Sequence, residues 1–448
     1  MGVPNIIDHE IWTKIIIILD ERQKCCDGLN FESVYPEICI FCGKNTKQRP
    51  RPIDMAKFHI LSPEDITAGR ATDIYFIRAV EALKAAGLEE AVVRAEFHVA
   101  SLPRGYRWAV YAGLKEALYA LEGRPVTVYS MPEGTLFGEN EPLMVIEGRY
   151  VDFAVYETTV LGILRHYSSI ASKAARVKKA AGGKTCLFFG ARVLHPAVQP
   201  MADRAAYIGG CDGVSGVPGA EMMGKRPSGT MPHALMIIFR ALKGDHAQAW
   251  LWFDKTAPPD VPRVVLADTF LDEREESLIA ARLLGGRLWG VRLDTPGSRR
   301  GDMLKIAREV RWALDLAGYR DVKIVVSGGL DEEEVARLAE VADVFGVGTS
   351  IAFPPSVDIS MDIVEVKTGD GWTPITKRGK LPGFKQVYDC GGRHVTALWQ
   401  DPPPRCPDGS EARPLLRKYM EGGRIVERLP DEDEIRQYVL RQLDTAEL

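Results

Sequence analysis

Residues 186–240 read CLFFGARVLHPAVQPMADRAAYIGGCDGVSGVPGAEMMGKRPSGTMPHALMIIFR, and the two ends of this stretch decide the kind of fold the chain can have. At the start, a short apolar run passes into Phe189-Gly190-Ala191-Arg192, an aromatic, a glycine and a cation within four residues. The run is short enough to be a buried strand. The glycine after it lets backbone N–H groups approach a ligand, and a guanidinium grips a carboxylate or phosphate by two parallel hydrogen bonds. At the far end, Gly229-Thr230-Met231-Pro232-His233 leads into the apolar run 234–239, which places His233 at the entrance to a second buried element.

Beyond this stretch, short apolar runs alternate with helical patterns. Strands are predicted over 185–189, 207–209, 220–222, 264–268, 290–293, 323–327 and 344–347, and helices over 200–206, 231–242, 273–284, 303–318 and 331–339. That alternation indicates a parallel βα barrel or a barrel-like variant, with ligands at the C-terminal ends of its strands. Residues 91–99, 125–130 and 142–147 instead read as strands of a small α+β sheet domain, followed by a helical stretch over 152–182 that stops at Gly182-Gly183. Strand patterns return at 359–367, 372–374 and 384–388, and a helix closes the chain over 431–442. The expected architecture is α/β: an incomplete or irregular βα barrel with an α+β sheet domain formed from N- and C-terminal segments. Its expected parts are an atypical extension (1–54), an α+β domain (55–165), the βα barrel (166–355) and a β-rich C-terminal segment with a terminal helix (356–448).

Composition sets bounds on function. A chain of 448 residues is too long for one ordinary core, and 46% hydrophobic with 26% charged residues is the make-up of a soluble globular protein. A formal charge of -4 gives no global reason to expect nucleic acid or anionic lipid as a partner. No apolar run approaches the roughly 20 residues that span a bilayer, and no cleavage pattern follows an apolar core near the start, so no membrane partner and a cytoplasmic location are expected. Cys25, Cys26, Cys39 and Cys42 cluster near the front, and Cys39 and Cys42 have the spacing of a zinc half-site; the expectation is incidental thiols, with zinc as the alternative. Cys390 and Cys406 are expected as two unpaired buried thiols. Residues 1–54 lack sustained periodicity and are expected to be an extension before Met55, poorly ordered or not native; a small metal-binding appendage is the competing reading.

Three further strand ends suit one substrate. In Arg292-Leu293-Asp294, residues two apart share a strand face, so a cation and a carboxylate point the same way, and the carboxylate suits a ribose diol. Ser327-Gly328-Gly329 and Gly346-Val347-Gly348-Thr349 end two consecutive strands. Successive glycines expose N–H groups and a hydroxyl adds a donor, which holds a phosphate without a dedicated lysine. His233 is the candidate nucleophile, because a neutral imidazole nitrogen attacks phosphorus near pH 7; His195 is a second candidate.

The pairing FGAR … GTMPH resembles the nicotinate phosphoribosyltransferase family in its archaeal-type form, with the type II phosphoribosyltransferase fold, and the resemblance runs from about residue 55 to the C-terminus. It implies that ATP transiently phosphorylates His233 and that Arg192 contacts the acid substrate and the ribose phosphate side. The family segment R-x-D-[ST]-x-G implies that Arg292 and Asp294 contact ribose and pyrophosphate. Phe189 is implied beneath the pyridine ring, beside Gly190. Tyr75, in Thr72-Asp73-Ile74-Tyr75, is implied to reach into a neighbouring subunit's site, and hence a homodimer. Nicotinate, phosphoribosyl pyrophosphate and ATP are the implied substrates, with Mg2+ on the phosphates, and the product serves NAD salvage. Some relatives carry a four-cysteine zinc knuckle, but only Cys390 and Cys406 stand in this part of the chain. Asp212 lies where nicotinamide-specific relatives place an aspartate, which keeps nicotinamide open; ribose or metal is its other expected target. Quinolinate phosphoribosyltransferase shares the fold but needs no ATP, and the GTMPH segment argues against it. A non-catalytic nucleotide-phosphate sensor is the reading from a different class.

Overall fold

The computed structural model describes residues 58–448 apart from 300 and 370, so the four cysteines at 25, 26, 39 and 42, and Met55, lie outside the described residues. Ser62 caps the helix Pro63–Thr67, its Oγ accepting the Asp65 N–H at 3.1 Å, with proline in the first turn. The helix Ile74–Ala85 follows. Then come β1 (Val92–Val99), β2 (Ala109–Val110), β3 (Thr127–Ser130), β4 (Leu136–Phe137) and β5 (Pro142–Arg149). β5 pairs antiparallel with β1 on one side and with β3 on the other.

The helix Glu157–Ala180 serves two cores. Val160 and Leu164 pack into the core of the antiparallel sheet, whereas Ile170, Ala171, Ala174, Ala175 and Val177 recur at helical spacing and pack against the second half of the molecule. That half is built on six parallel strands: β6 (Thr185–Phe188), β7 (Gly213–Val214), β8 (Val264–Leu266), β9 (Gly290–Leu293), β10 (Lys323–Ser327) and β11 (Val344–Val347). Their order is β7-β6-β11-β10-β9-β8, with β7 and β8 at the two edges, so the barrel is open. Val264, Val325 and Val344, backed by Leu187, form a small cluster of their own. The larger core lies between strands and helices.

The structure corrects the reading of 199–222. Residues 207–209 end a helix, Gln199–Ile208, and 220–222 end another, Val217–Met222; the strand between them is Gly213–Val214. Ala202, Ala205, Ala206 and Ile208 are buried on the first helix, which continues until Gly209-Gly210 stops it. Pro218 stands in the first turn of the second. Between β7 and β8 lie three helices, Val217–Met222, His233–Lys243 and Ala247–Thr256, the last absent from the sequence reading. Its anchor is Trp250, fully buried, whose indole N–H donates to the Leu266 carbonyl at 3.0 Å. Truncating such an aromatic costs about 3–5 kcal/mol.

The chain then returns to the first sheet. β12 (Ile359–Thr368) and β13 (Gly371–Pro374) add to β1, while β14 (Lys385–Asp389), β15 (His394–Leu398) and β16 (Arg413–Pro414) form a three-stranded sheet. β17 (Arg417–Glu421) and β18 (Arg424–Ile425) complete a seven-stranded sheet of order β13-β12-β1-β5-β3-β17-β18. Its middle strands therefore come from the N-terminal part and its flanks from the C-terminal part. The last helix, Glu432–Leu443, begins with a capping box made by Asp431 and Glu434.

Cys390 and Cys406 are joined in a disulfide, contrary to the expected free thiols. Cys390 directly follows β14 and Cys406 adjoins the bridge between Arg405 and Glu411, which brings their Cα atoms to 5.4 Å, within bonding reach. The pairing removes both sulfurs from any zinc site. No helix among the described residues is long and apolar enough to cross a membrane.

Candidate active site

The C-terminal ends of β6, β11, β10, β9 and β8 stand side by side, and the residues that follow them are tied to one another by hydrogen bonds. At the end of β6 the Phe189 N–H donates to Val347 O at 2.8 Å. The Phe189 ring lies over the glycines of the next strand: a Cβ on Gly346 would come within 2.5 Å of two ring carbons, and a Cβ on Gly348 within 2.8 Å of the Phe189 carbonyl oxygen. Both glycines are therefore required by the close approach of residue 189. Gly190 is required too, because the Phe188 ring occupies the place a side chain would take, 2.1 Å from the Cβ position. A short turn, Ala191–Val193, carries Arg192, which is exposed. His195, also exposed, accepts the Ala197 N–H on Nδ1 at 3.2 Å.

At the end of β9, Arg292 donates to Thr230 Oγ1 at 2.5 Å and to Asp294 Oδ2 at 3.2 Å. The other oxygen of Asp294 accepts from Ser327 Oγ at 2.9 Å. Gly328 closes on the same carboxylate: a Cβ there would lie 2.8 Å from Asp294 Oδ1, and its φ of 89° is one that side-chain-bearing residues rarely adopt. The second glycine turn is joined to the first by Ser350, whose Oγ donates to the Leu330 carbonyl at 2.7 Å. Thr349 opens the short helix Thr349–Ala352.

His233 is the first residue of its helix, behind Pro232, and its Nε2 lies 3.1 Å from Asp268 Oδ1. The Asp268 side chain is 0% exposed and that of His233 39%, so the acid is hidden and the imidazole is presented. Asp268 also accepts the Asp294 backbone N–H at 2.6 Å and lies 3.4 Å from Thr295 Oγ1, which donates to Glu273 at 2.5 Å. Burial raises the Asp268 pKa from its ordinary value. The sequence reading passed over Asp268. The signal was present, since a carboxylate closing the run Val264-Val265-Leu266-Ala267-Asp268 occupies the same strand-end position as Asp294.

The structure thus joins His233, Thr230, Arg292, Asp294 and Ser327 through hydrogen bonds, and packs Phe189 on Gly346 and Gly348. Asp212 and Tyr75 stand outside that network, as do the exposed Arg192 and His195. Asp212 accepts the Cys186 N–H at 2.8 Å, at the N-terminal end of β6, and pairs with Lys178 at 2.7 Å and Arg436 at 2.5 Å. It is committed to an ion-pair cluster at the opposite end of the strands from the site, so the base, ribose and metal roles expected of it are withdrawn. Tyr75, 57% exposed, lines a groove of about 560 Å3 with Asp73, Arg165, His166 and Phe353.

Comparison with known proteins bears on the family. Residues 73–168 match the family described as Quinolinate phosphoribosyl transferase, N-terminal domain, and residues 170–362 the corresponding C-terminal domain. A nicotinate phosphoribosyltransferase of Bacillus subtilis is 32% identical over 361 residues, covering 71% of this chain and 72% of its own. Human nicotinate phosphoribosyltransferase is 27% identical over 418 residues, covering 74% and 76%. Among solved structures, the nicotinate-nucleotide pyrophosphorylase of Pyrococcus furiosus superposes with a TM-score of 0.84 at 48% identity, over 88% of this chain and 100% of that one. The human nicotinic acid phosphoribosyltransferase shares the fold, with a TM-score of 0.68 at 23% identity, over 83% and 93%. Identity of this extent, sustained over more than two thirds of a curated relative and carried on the same open barrel, makes the chain a member of the nicotinate phosphoribosyltransferase family.

Proposed function

We propose that this enzyme transfers phosphoribose from phosphoribosyl pyrophosphate to nicotinate, releasing pyrophosphate and nicotinate mononucleotide for NAD salvage, with ATP acting through a phosphorylated His233. The observation that carries the ATP step is the His233–Asp268 pair. A buried carboxylate facing Nε2 keeps the proton on that nitrogen, which leaves the Nδ1 lone pair free. Nδ1 then attacks the γ-phosphorus of ATP, the bond to the ADP oxygen breaks, and the proton stays on Nε2 against Asp268. The charge added at residue 233 stands beside the network of Thr230, Arg292 and Asp294, where it favours closure around the sugar phosphate.

In the transfer step the anomeric carbon turns cationic as pyrophosphate leaves. Arg292 and Arg192 supply positive charge for the leaving group, and Asp294, with lone pairs left beyond its two hydrogen bonds, takes the ribose hydroxyls. The two glycine turns, Ser327-Gly328-Gly329 and Gly346 to Thr349, receive the 5′-phosphate. Phe189 seats the pyridine so that its nitrogen lies in line behind the anomeric carbon. Tyr75, exposed on its helix, covers the ring in a partner's site, which makes a homodimer the working unit. Mg2+ fits as an ion carried by the substrate phosphates. No group of three or more His, Cys, Asp or Glu side chains among the described residues forms a cage for it, and Asp294 is the carboxylate at hand to complete its shell.

Replacing His233 by alanine tests the reading. The wild-type enzyme should hydrolyse ATP faster when nicotinate and phosphoribosyl pyrophosphate are present and should carry acid-labile phosphate. The variant should lose both while retaining slow transfer; unchanged ATP consumption would remove His233 from the mechanism. Since Asp212 is away from the site, nothing in it favours nicotinamide, and turnover of the two pyridines should favour nicotinate. Quinolinate is the second reading, favoured by the family descriptions matched at residues 73–168 and 170–362. It predicts carbon dioxide release and no ATP requirement.

A further inference from the structure

Glu276 lies in the helix Glu273–Leu284, and its side chain has no exposed surface. Its carboxylate accepts three successive backbone N–H groups, from Thr269 at 2.9 Å, Phe270 at 2.8 Å and Leu271 at 3.0 Å. Those residues form the turn directly after Asp268. A neutral amide side chain offers one acceptor oxygen; only a carboxylate offers two oxygens to three donors. Beside it stands His246, whose Nε2 lies 3.2 Å from Glu276 Oε1. His246 stands between the helix that begins at His233 and the helix that carries Trp250. Its ring centre lies 5.4 Å from that of Trp250 and 5.2 Å from that of Phe270. Arg240, on the His233 helix, places its guanidinium 5.9 Å over the Phe270 ring.

Both members of the His233–Asp268 pair are therefore carried by elements that approach the turn held by Glu276. Asp268 is fixed by the turn whose amides Glu276 holds. The helix of His233 is fixed where Arg240 and His246 close on Phe270. Having no exposed surface, Glu276 touches no substrate, and its effect on chemistry passes through Asp268.

We propose that Glu276 is the positioning residue for the phosphoacceptor histidine, holding Asp268 where it orients His233 for phosphoryl transfer from ATP; this rests on the phosphohistidine reading given above. A carboxylate in this place governs the ATP half of the reaction and leaves binding of the pyridine untouched.

The test uses the full-length enzyme with Glu276→Gln and Glu276→Asp. In Glu276→Gln the rate of acid-labile phosphate incorporation from ATP should fall about 10–100-fold, the range for loss of an outer-sphere orienting partner. KM for nicotinate should stay within about twofold, a split that general destabilisation would not produce. Glu276→Asp, which keeps both oxygens on a shorter arm, should fall between. Two readouts do not depend on phosphorylation. In the wild type the amides of Thr269, Phe270 and Leu271 should be protected from hydrogen exchange although they lie in a turn, and that protection should fall about tenfold or more in Glu276→Gln. The NMR titration of the His233 imidazole should move in Glu276→Gln in the same direction as in Asp268→Asn. Unprotected wild-type amides, or a folded Glu276→Gln that takes phosphate at the wild-type rate and leaves the His233 titration in place, would overturn the proposal. If wild-type His233 takes no phosphate from ATP, the phosphohistidine reading fails, and exchange and titration still decide the role of Glu276.

Discussion

Replacing Gly346 by alanine puts the seat of the pyridine ring to a quantitative test. A Cβ at residue 346 would lie 2.5 Å from Cδ2 and from Cε2 of Phe189, and 3.2 Å from the Ser327 Cβ. Non-bonded carbons in good contact sit about 3.5–4.0 Å apart, so the ring has to withdraw by about 1 Å. The backbone beneath it cannot yield instead. Gly346 is paired in register with Ser327 on one side and Leu187 on the other, and the Phe189 N–H is held by Val347. Overpacking of this kind costs about 1–3 kcal/mol of stability, which for a chain this long lowers the melting midpoint by only a few degrees. A positioning error of about 1 Å costs up to about 100-fold in rate. Steady-state kinetics at saturating phosphoribosyl pyrophosphate should therefore show kcat/KM for nicotinate down about 10–100-fold, while ATP hydrolysis without nicotinate holds within about twofold. Phe189→Leu, which removes the ring without crowding the strand, should lower kcat/KM to a similar degree at a smaller cost in melting temperature. A folded Gly346→Ala enzyme with wild-type kcat/KM for nicotinate would show that the ring at residue 189 does not seat the pyridine.

Other outcomes follow from parts of the molecule remote from the chemistry. Cys406→Ser opens a loop whose two cysteines are 16 residues apart, for which the chain-entropy account gives about 3 kcal/mol; hydrogen exchange should quicken across the three-stranded sheet while transfer kinetics stay as in the wild type. In the antiparallel sheet, burial pushes the pKa of Glu96 up to about 7 and that of His98 down to about 4. Between the unfolded carboxyl value and about 7, unfolding releases the Glu96 proton, so its contribution to stability falls as pH rises through that window. Between about 6.5 and 4, unfolding lets His98 take up a proton, so its contribution falls as pH drops, and the two trends oppose each other where they overlap. Denaturant unfolding of His98→Asn should therefore show stability decreasing from about pH 5 to pH 7, and a flat or rising profile would refute the assignment to Glu96.

Much of the site was legible because its residues fall at strand ends, where sequence carries its clearest punctuation. Arg292-Leu293-Asp294, Ser327-Gly328-Gly329 and Gly346 to Thr349 each follow an apolar run, and the structure sets their strands side by side. Asp212 misled for one traceable reason. Taking 207–209 as a strand puts residue 212 just beyond its C-terminal end, whereas the strand is Gly213–Val214 and residue 212 precedes it. An error of a few residues in one element moved a carboxylate from one end of the barrel to the other. The disulfide was illegible because a spacing along the chain says nothing about whether two Cα atoms approach within bonding distance. Trp250 and its helix were illegible because the run Ala247–Thr256 has no clean period, and the edge it packs against exists only once β7 and β8 fail to pair.

The seven-stranded sheet bears on how the protein is made. Arg94 of β1 pairs with Glu365 of β12 across 271 residues, so the central strands leave the ribosome long before their flanking partners exist. During that interval β1 presents an open edge that another nascent chain can occupy. Contacts so distant along the chain also make closure slow. Synthesis in a heterologous host should accordingly yield more soluble enzyme when translation through residues 150–360 is fast or a chaperone shields the emerging strands, even though the finished molecule leaves β1 no free side.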